Sequence, residues 1–419
     1  MALIRNSVKK FVLGRTQSVI QRRIIFFLLF LNVTTSAAVS IYIPCIKQMS
    51  LDFACTNAMM QMTIVMHLIG EFMGRFFCGP FIDSFGSKKI IMPSIWLSIL
   101  GHFGCAVSSN LYVFMLMRFF QAAGSSVIYI VSIEIINDTF NDREKGSVLG
   151  VLELYQPIAW ILSPFVGCIL SEISTWRLCF VVMLLAQLLG FLFFWAYFSN
   201  NGEKSLKQFS VSKFFFDYKS ILKNSYFIIY ALIPGLFAGG YMIFASNSPF
   251  MCSQLYGNNS ADIAIFQALP LVFYVIATFI YRLTIVKFGV RTSKIVGIIV
   301  YLIFGIYMIL ALGLLQTKWS AYNLLALMCI QCVGSAFLVP VSVLKALQSS
   351  SHASSVGAST VVVFRNIIMS LCISLSARFT ESITMIMGSV LMTVGTALVL
   401  FMARRIIKIR DLRRQNIKL

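Results

Sequence analysis

Residues 178–198 read LCFVVMLLAQLLGFLFFWAYF, twenty-one residues without a charge. A helix of that length covers ~30 Å, the thickness of a bilayer's hydrocarbon core. Eleven further apolar runs lie at 24–44, 58–82, 90–107, 111–136, 146–170, 225–247, 263–281, 295–315, 320–341, 356–377 and 382–402. Twelve such runs leave little chain for anything else. Lipid offers no partner to an open backbone amide, so segments this long are read as helices. A β-barrel would show short alternating segments instead. The expected fold is all-α and membrane-integral, with twelve crossings in two six-helix bundles. The first run follows a basic leader, has no A-x-A-like cleavage site, and is read as a retained span.

Charge placement orients the chain. With the N-terminus inside, the cytosolic segments hold 27 of the 34 Lys and Arg, and the outer loops hold 4. The remaining three, Arg75, Arg118 and Arg365, lie within runs. This asymmetry follows the positive-inside rule and puts both termini in the cytosol. It also accounts for the net charge of +20: the basic face meets anionic headgroups, and nucleic acid is not the expected partner. Ten cysteines are scattered through apolar runs, which suits packing rather than a disulfide framework or a metal site. The Cys329–Cys332 CxxC sits in an uncharged helix and is read the same way.

The polar stretch at 200–220 divides the chain into halves. The expected domains are 1–198, a cytosolic loop at 199–224, a second bundle at 225–403 and a basic tail at 404–419. Phe85-Gly86-Ser87-Lys88 returns in weaker form as Phe288-Gly289-Val290-Arg291, after the second run of each half. Paired six-helix halves are a transporter plan.

Residues 79–89, GPFIDSFGSKK, are expected to form the loop between spans two and three. Gly79, Asp83, Gly86, Lys88 and Lys89 fit the pattern G-x-x-x-D-x-x-G-x-[RK]-[RK], which resembles the loop motif of the major facilitator superfamily. Ser84 stands where that motif usually has arginine. Arg118-Phe-Phe-Gln121-Ala-Ala-Gly124 resembles the family's R-x-x-Q-G-x-G. Pro157 to Gly167 resembles the proline–glycine motif of its antiporter branches. Ser40-Ile-Tyr42-Ile-Pro44, Asn137-Asp138-Thr-Phe140 and Trp176-Arg177 are similar to signatures of the bicyclomycin- and chloramphenicol-resistance-like drug/proton antiporters. The resemblance implies alternating access, a conformational latch at Gly79–Lys89, and a role for Arg118 in steering protons. The acid these relatives carry in span one is Ser40 here, and no Asp or Glu precedes Asp52.

The ionisable residues inside spans are the candidate site, because each is costly in lipid and needs a partner or water. His67, Glu71 and Arg75 fall at i, i+4 and i+8 on one stripe of span two. Two readings stand: a proton relay through Glu71, or a structural Glu71–Arg75 pair with His67 packed beside it. Glu134 and Glu153 are candidates for the cytosolic half of a pathway. Pro157 and Pro164 should bend span five, with Gly167, Gln121 and Gly124 beside the cavity. Arg365 and Asn366 are candidate substrate contacts, or an interhelical tie. No nucleotide-binding loop or catalytic constellation is present in the sequence, so neither an enzyme nor a cofactor is expected.

The expectation is a monomeric, proton-coupled exporter of drugs or metabolites in a bacterial inner membrane. The alternatives are an importer of an amino acid or organic anion, and a non-transporting membrane sensor.

Overall fold

The computed structural model describes residues 19–198, 211–255, 260–313, 320–349, 355–380 and 382–416. The N-terminal part runs α1 Val19–Ser40, a 3-10 turn Ile43–Cys45, α2 Ile46–Asp52, α3 Asn57–Phe85, α4 Ser87–Val107, α5 Leu111–Thr139, α6 Asp142–Ile173 and α7 Arg177–Phe198. The C-terminal part runs α8 Val211–Leu222, α9 Ser225–Leu255, α10 Ser260–Gly313, α11 Ala321–Ser349, α12 Ser355–Ser376, a 3-10 turn Ala377–Phe379 and α13 Ile383–Asn416. No strand occurs among the described residues.

Ten helices among the described residues are long and apolar enough to cross a membrane. The span in α10 covers 51 residues, or ~76 Å of helix, more than twice a bilayer core. It breaks at Gly289, with φ 78° and ψ 173°, and so makes two crossings. Helix α3 is long enough at 29 residues; Gln61, His67, Glu71 and Arg75 dilute its apolar content. Together these account for the twelve runs.

The chain forms two compact units. One takes residues up to Cys55 and Met66–Ser210; the other takes Thr56–Val65 and everything from Val211. The first turns of α3 therefore belong with the C-terminal unit, unlike the expected division at 198. Their Gln61 donates to Asn247 Oδ1 of α9 at 2.7 Å.

In the N-terminal unit α4 packs on α5 and α7, and α1 on α6 and α7. The buried core draws Leu28 and Leu31 from α1, Ile91 and Ile95 from α4, Ile128 and Val131 from α5, and Leu152 from α6. Exposed apolar residues such as Leu162, Ile169, Leu192 and Trp195 cover the outside, as expected where the solvent is lipid. In the C-terminal unit α9 is central, packing on α11, α12 and α13, while α10 packs on α11.

Three stretches read as irregular are helical. Residues 79–85 form the last turns of α3 and 87–89 begin α4, so Gly86 alone separates them. Its φ of 83° is one that L side chains resist. Charged and polar residues do not end a helix; a positive φ does. The 199–224 loop contains α8, and the tail continues α13 as far as Asn416. Gly86 and Gly289 are the only positive-φ glycines among the described residues. They occupy matching places in the weak repeat.

Candidate functional site

Arg118 is buried within the N-terminal unit. It sits on α5 and is fully enclosed, at 0% exposure. Its Nη1 donates to the Ala38 carbonyl of α1 at 3.1 Å and to Gln121 Oε1 at 2.7 Å. The Tyr42 ring lies 4.4 Å from the guanidinium carbon, and the Phe180 ring 5.8 Å. Gln121 is oriented from its other end, where Nε2 meets His102 Nδ1 of α4 at 2.9 Å. The result is a buried chain of His102, Gln121, Arg118 and Ala38 across three helices. An arginine cannot shed its proton, so this centre stays cationic.

The α3 stripe is a second centre. Glu71 and Arg75 form an ion pair one turn apart, with side chains only 14% and 11% exposed. Arg75 also faces the Tyr129 ring of α5 at 5.9 Å. His67, one turn from Glu71, is buried, and its Nδ1 has no partner among the described residues.

Close backbone approach holds these helices in place. A side chain at Gly124 would strike the Ser94 carbonyl of α4, and one at Gly167 would strike the Ile41 carbonyl. Beside Gly167 the hydroxyls of Ser40 and Ser163 share a hydrogen bond at 2.6 Å. The position that resembles an acid site is thus a neutral tie between α1 and α6. Pro157 is half-buried and Pro164 buried, both inside α6.

Other candidates are dispersed. Glu134 is half-buried on α5. Gly79 lies in α3, and the side chains of Asp83, Lys88 and Glu153 lie outside the described residues. Lys89 is exposed at the start of α4. Arg365 and Asn366 sit on α12 in the other unit; Arg365 is half-buried. Asn366 is 1% exposed, and neither end of its amide has a partner among the described residues.

Sequence reasoning gave no site role to Asp52 or Ala38, and quoted Tyr42 only as part of a signature. Asp52 accepts from Trp176 Nε1 at 2.7 Å, and Arg177 lies 3.8 Å from it while donating to the Ser108 carbonyl at 3.0 Å. The Trp176-Arg177 pair was visible as a signature, but its partner 124 residues earlier was not.

The sequence matches the profile described as Major Facilitator Superfamily over residues 25–377. The chain belongs to the major facilitator superfamily. That superfamily consists of multi-pass membrane transporters.

Among its superfamily relatives is an uncharacterized MFS-type transporter, YdgK, of Bacillus subtilis (strain 168), 26% identical over 235 residues. That match covers 55% of this chain and 58% of the relative's own length. The multidrug resistance protein MdtL of Shigella dysenteriae serotype 1 (strain Sd197) is 22% identical over 270 residues, 64% of this chain and 68% of the relative. Among solved structures, a bacterial homolog of the human lysosomal transporter Spinster, in an inward-facing and unoccupied conformation, aligns with a TM-score of 0.71. It is 13% identical and covers 92% of this chain and 97% of its own. A D-xylose–proton symporter aligns with a TM-score of 0.65 at 14% identity, covering 91% and 97%. At these identities the structural likeness shows the fold alone.

Proposed function

We propose that this superfamily member is a proton-coupled exporter of small organic molecules, monomeric, in a bacterial inner membrane with both termini in the cytosol. The observation that carries the reading is the Glu71–Arg75 pair, a carboxylate held within a membrane helix with His67 one turn away. Proton arrival at Glu71 removes its charge and leaves Arg75 without a counter-charge, a large change in a low-dielectric setting. That change biases the protein between its two facings. Export is supported by the relative named a multidrug resistance protein, and the orientation by the lysine and arginine asymmetry.

In this reading Arg118, Gln121 and His67 set the field around Glu71, and Glu134 and Glu153 serve the cytosolic half of the path. Gly79, Asp83, Gly86, Lys88 and Lys89 act as the latch. Pro157, Pro164, Gly167 and Gly124 shape the helices beside the cavity. Arg365 and Asn366 touch substrate. The basic ends rest on anionic headgroups.

The test is substrate-driven proton flux in liposomes with an internal pH dye. Wild-type protein gives a pH change whose sign identifies antiport, and Glu71→Gln abolishes it. Coupled flux that survives in Glu71→Gln makes the ion pair structural and moves the proton site elsewhere.

A second reading, uptake of an organic anion or amino acid, has its own observation. Ser40 is neutral and bonded to Ser163, and no carboxylate pairs with Arg118 among the described residues. Organic acids rather than cationic drugs would then drive the flux, with the opposite sign.

A further inference from the structure

Among the described residues, Arg118 is the only Lys, Arg, Asp or Glu that is fully buried. Everything that answers its charge is neutral: the Ala38 carbonyl, the Gln121 amide and the rings of Tyr42 and Phe180. Both of these hydrogen bonds use Nη1. Nε and Nη2 are buried and have no partner among the described residues. These two nitrogens form one edge of the guanidinium, the edge whose parallel N–H groups fit the two oxygens of a carboxylate.

Among the described residues, two acids of this unit are committed elsewhere. Glu71 is paired with Arg75, and Asp52 with Trp176 and Arg177. Gln121 supplies an uncharged oxygen where a glutamate would have cancelled the charge, and its other end is fixed by His102. His67, buried on α3, leaves Nδ1 without a partner among the described residues. A buried cation with an unpartnered bidentate edge and no counter-charge among the described residues is an incomplete arrangement.

We propose that the edge of Arg118 formed by Nε and Nη2 is a binding site for a small carboxylate. The ligand's two oxygens accept from those nitrogens, and its negative charge completes the centre. The occupant is a free monocarboxylate or the carboxylate end of an organic acid. The site rests on the geometry around Arg118, independent of the direction of transport and of proton coupling.

The test uses purified full-length protein in detergent, with sodium methanesulfonate as the background salt. Thermal unfolding is followed while sodium formate or sodium acetate is titrated in. Formamide, acetamide and sodium chloride serve as matched controls. Formate and acetate raise the unfolding midpoint saturably; the amides and chloride leave it unmoved.

Arg118→Gln weakens the apparent affinity at least about tenfold, the worth of a charge-assisted hydrogen bond. If Arg118→Gln does not fold, Gln121→Glu decides. It changes one atom's identity and places a carboxylate on the guanidinium from within, and it abolishes the response while unfolding stays cooperative. No formate response in wild type, an equal response to formamide or chloride, or an undiminished response in Gln121→Glu overturns the proposal. Failure of proton-coupled export leaves these readouts untouched, so the two ideas fail separately.

Discussion

An arginine inside a bilayer has to be answered by something, and the N-terminal unit answers two of them differently. Arg75 has Glu71 one turn away on its own helix. Arg118 has a carbonyl, an amide and two rings. The difference is measurable. Arg75→Met leaves Glu71 buried without its partner and costs about 3–5 kcal/mol. The double variant Glu71→Gln/Arg75→Met costs less than Arg75→Met alone, because no charge is left stranded. Thermal unfolding of wild type, Glu71→Gln, Arg75→Met and the double variant decides it, and a double variant at the sum of the singles would show the pair is not coupled. Part of this was legible in the sequence. Helical spacing exposes Glu71–Arg75 at i, i+4 and Arg118–Gln121 at i, i+3. The contacts of Arg118 with Ala38 and of Gln121 with His102 join residues 80 and 19 positions apart. No local periodicity encodes them; the Gln121–His102 contact follows from the close approach of α4 and α5 that Gly101 and Gly124 allow.

At the scale of elements, three glycines should respond to alanine in three ways. Gly289 breaks α10 at φ 78° and ψ 173°, and nothing lies within 4 Å of the point an added methyl would occupy, so Gly289→Ala carries only the backbone cost, about 1–3 kcal/mol in a region that is essentially glycine's alone. Gly305 lies in the same helix with equally open surroundings and no positive φ. Gly305→Ala is neutral or stabilising by up to ~1 kcal/mol. Gly167→Ala drives a methyl into the Ile41 carbonyl and separates α1 from α6, the most damaging of the three. Melting temperatures of the three variants give the order, and a Gly167→Ala protein as stable as wild type would refute the close contact. Element existence was legible because an apolar run of about 20 residues has one outcome in lipid. Element ends were less so. The polar stretch 79–89 looks like a loop, yet it is helix on both sides of Gly86. Side-chain polarity reports where water is, while the end of a helix depends on φ.

For the whole molecule, the testable property is orientation. Nine of the ten cysteines are buried; Cys55, between α2 and α3, is half-exposed. With the termini in the cytosol, Cys55 faces outward. A membrane-impermeant maleimide added to intact cells then labels wild-type protein and not Cys55→Ser. Burial pushes the Cys55 thiol above its ordinary pKa. Only the thiolate reacts, so labelling is slow near neutrality and accelerates as pH rises through the alkaline range. Labelling only after the cells are opened would reverse the proposed topology. The charge asymmetry that predicts this orientation was fully readable in the sequence, since it depends on loop composition and not on packing. The placement of the Glu71–Arg75 pair within one helix also has a consequence for biosynthesis. Helix α3 leaves the ribosome early, before most of the helices that will surround it. Because its acid and base sit one turn apart, they can neutralise each other as soon as the helix forms, and the segment can leave the translocon without waiting for a distant partner to be made.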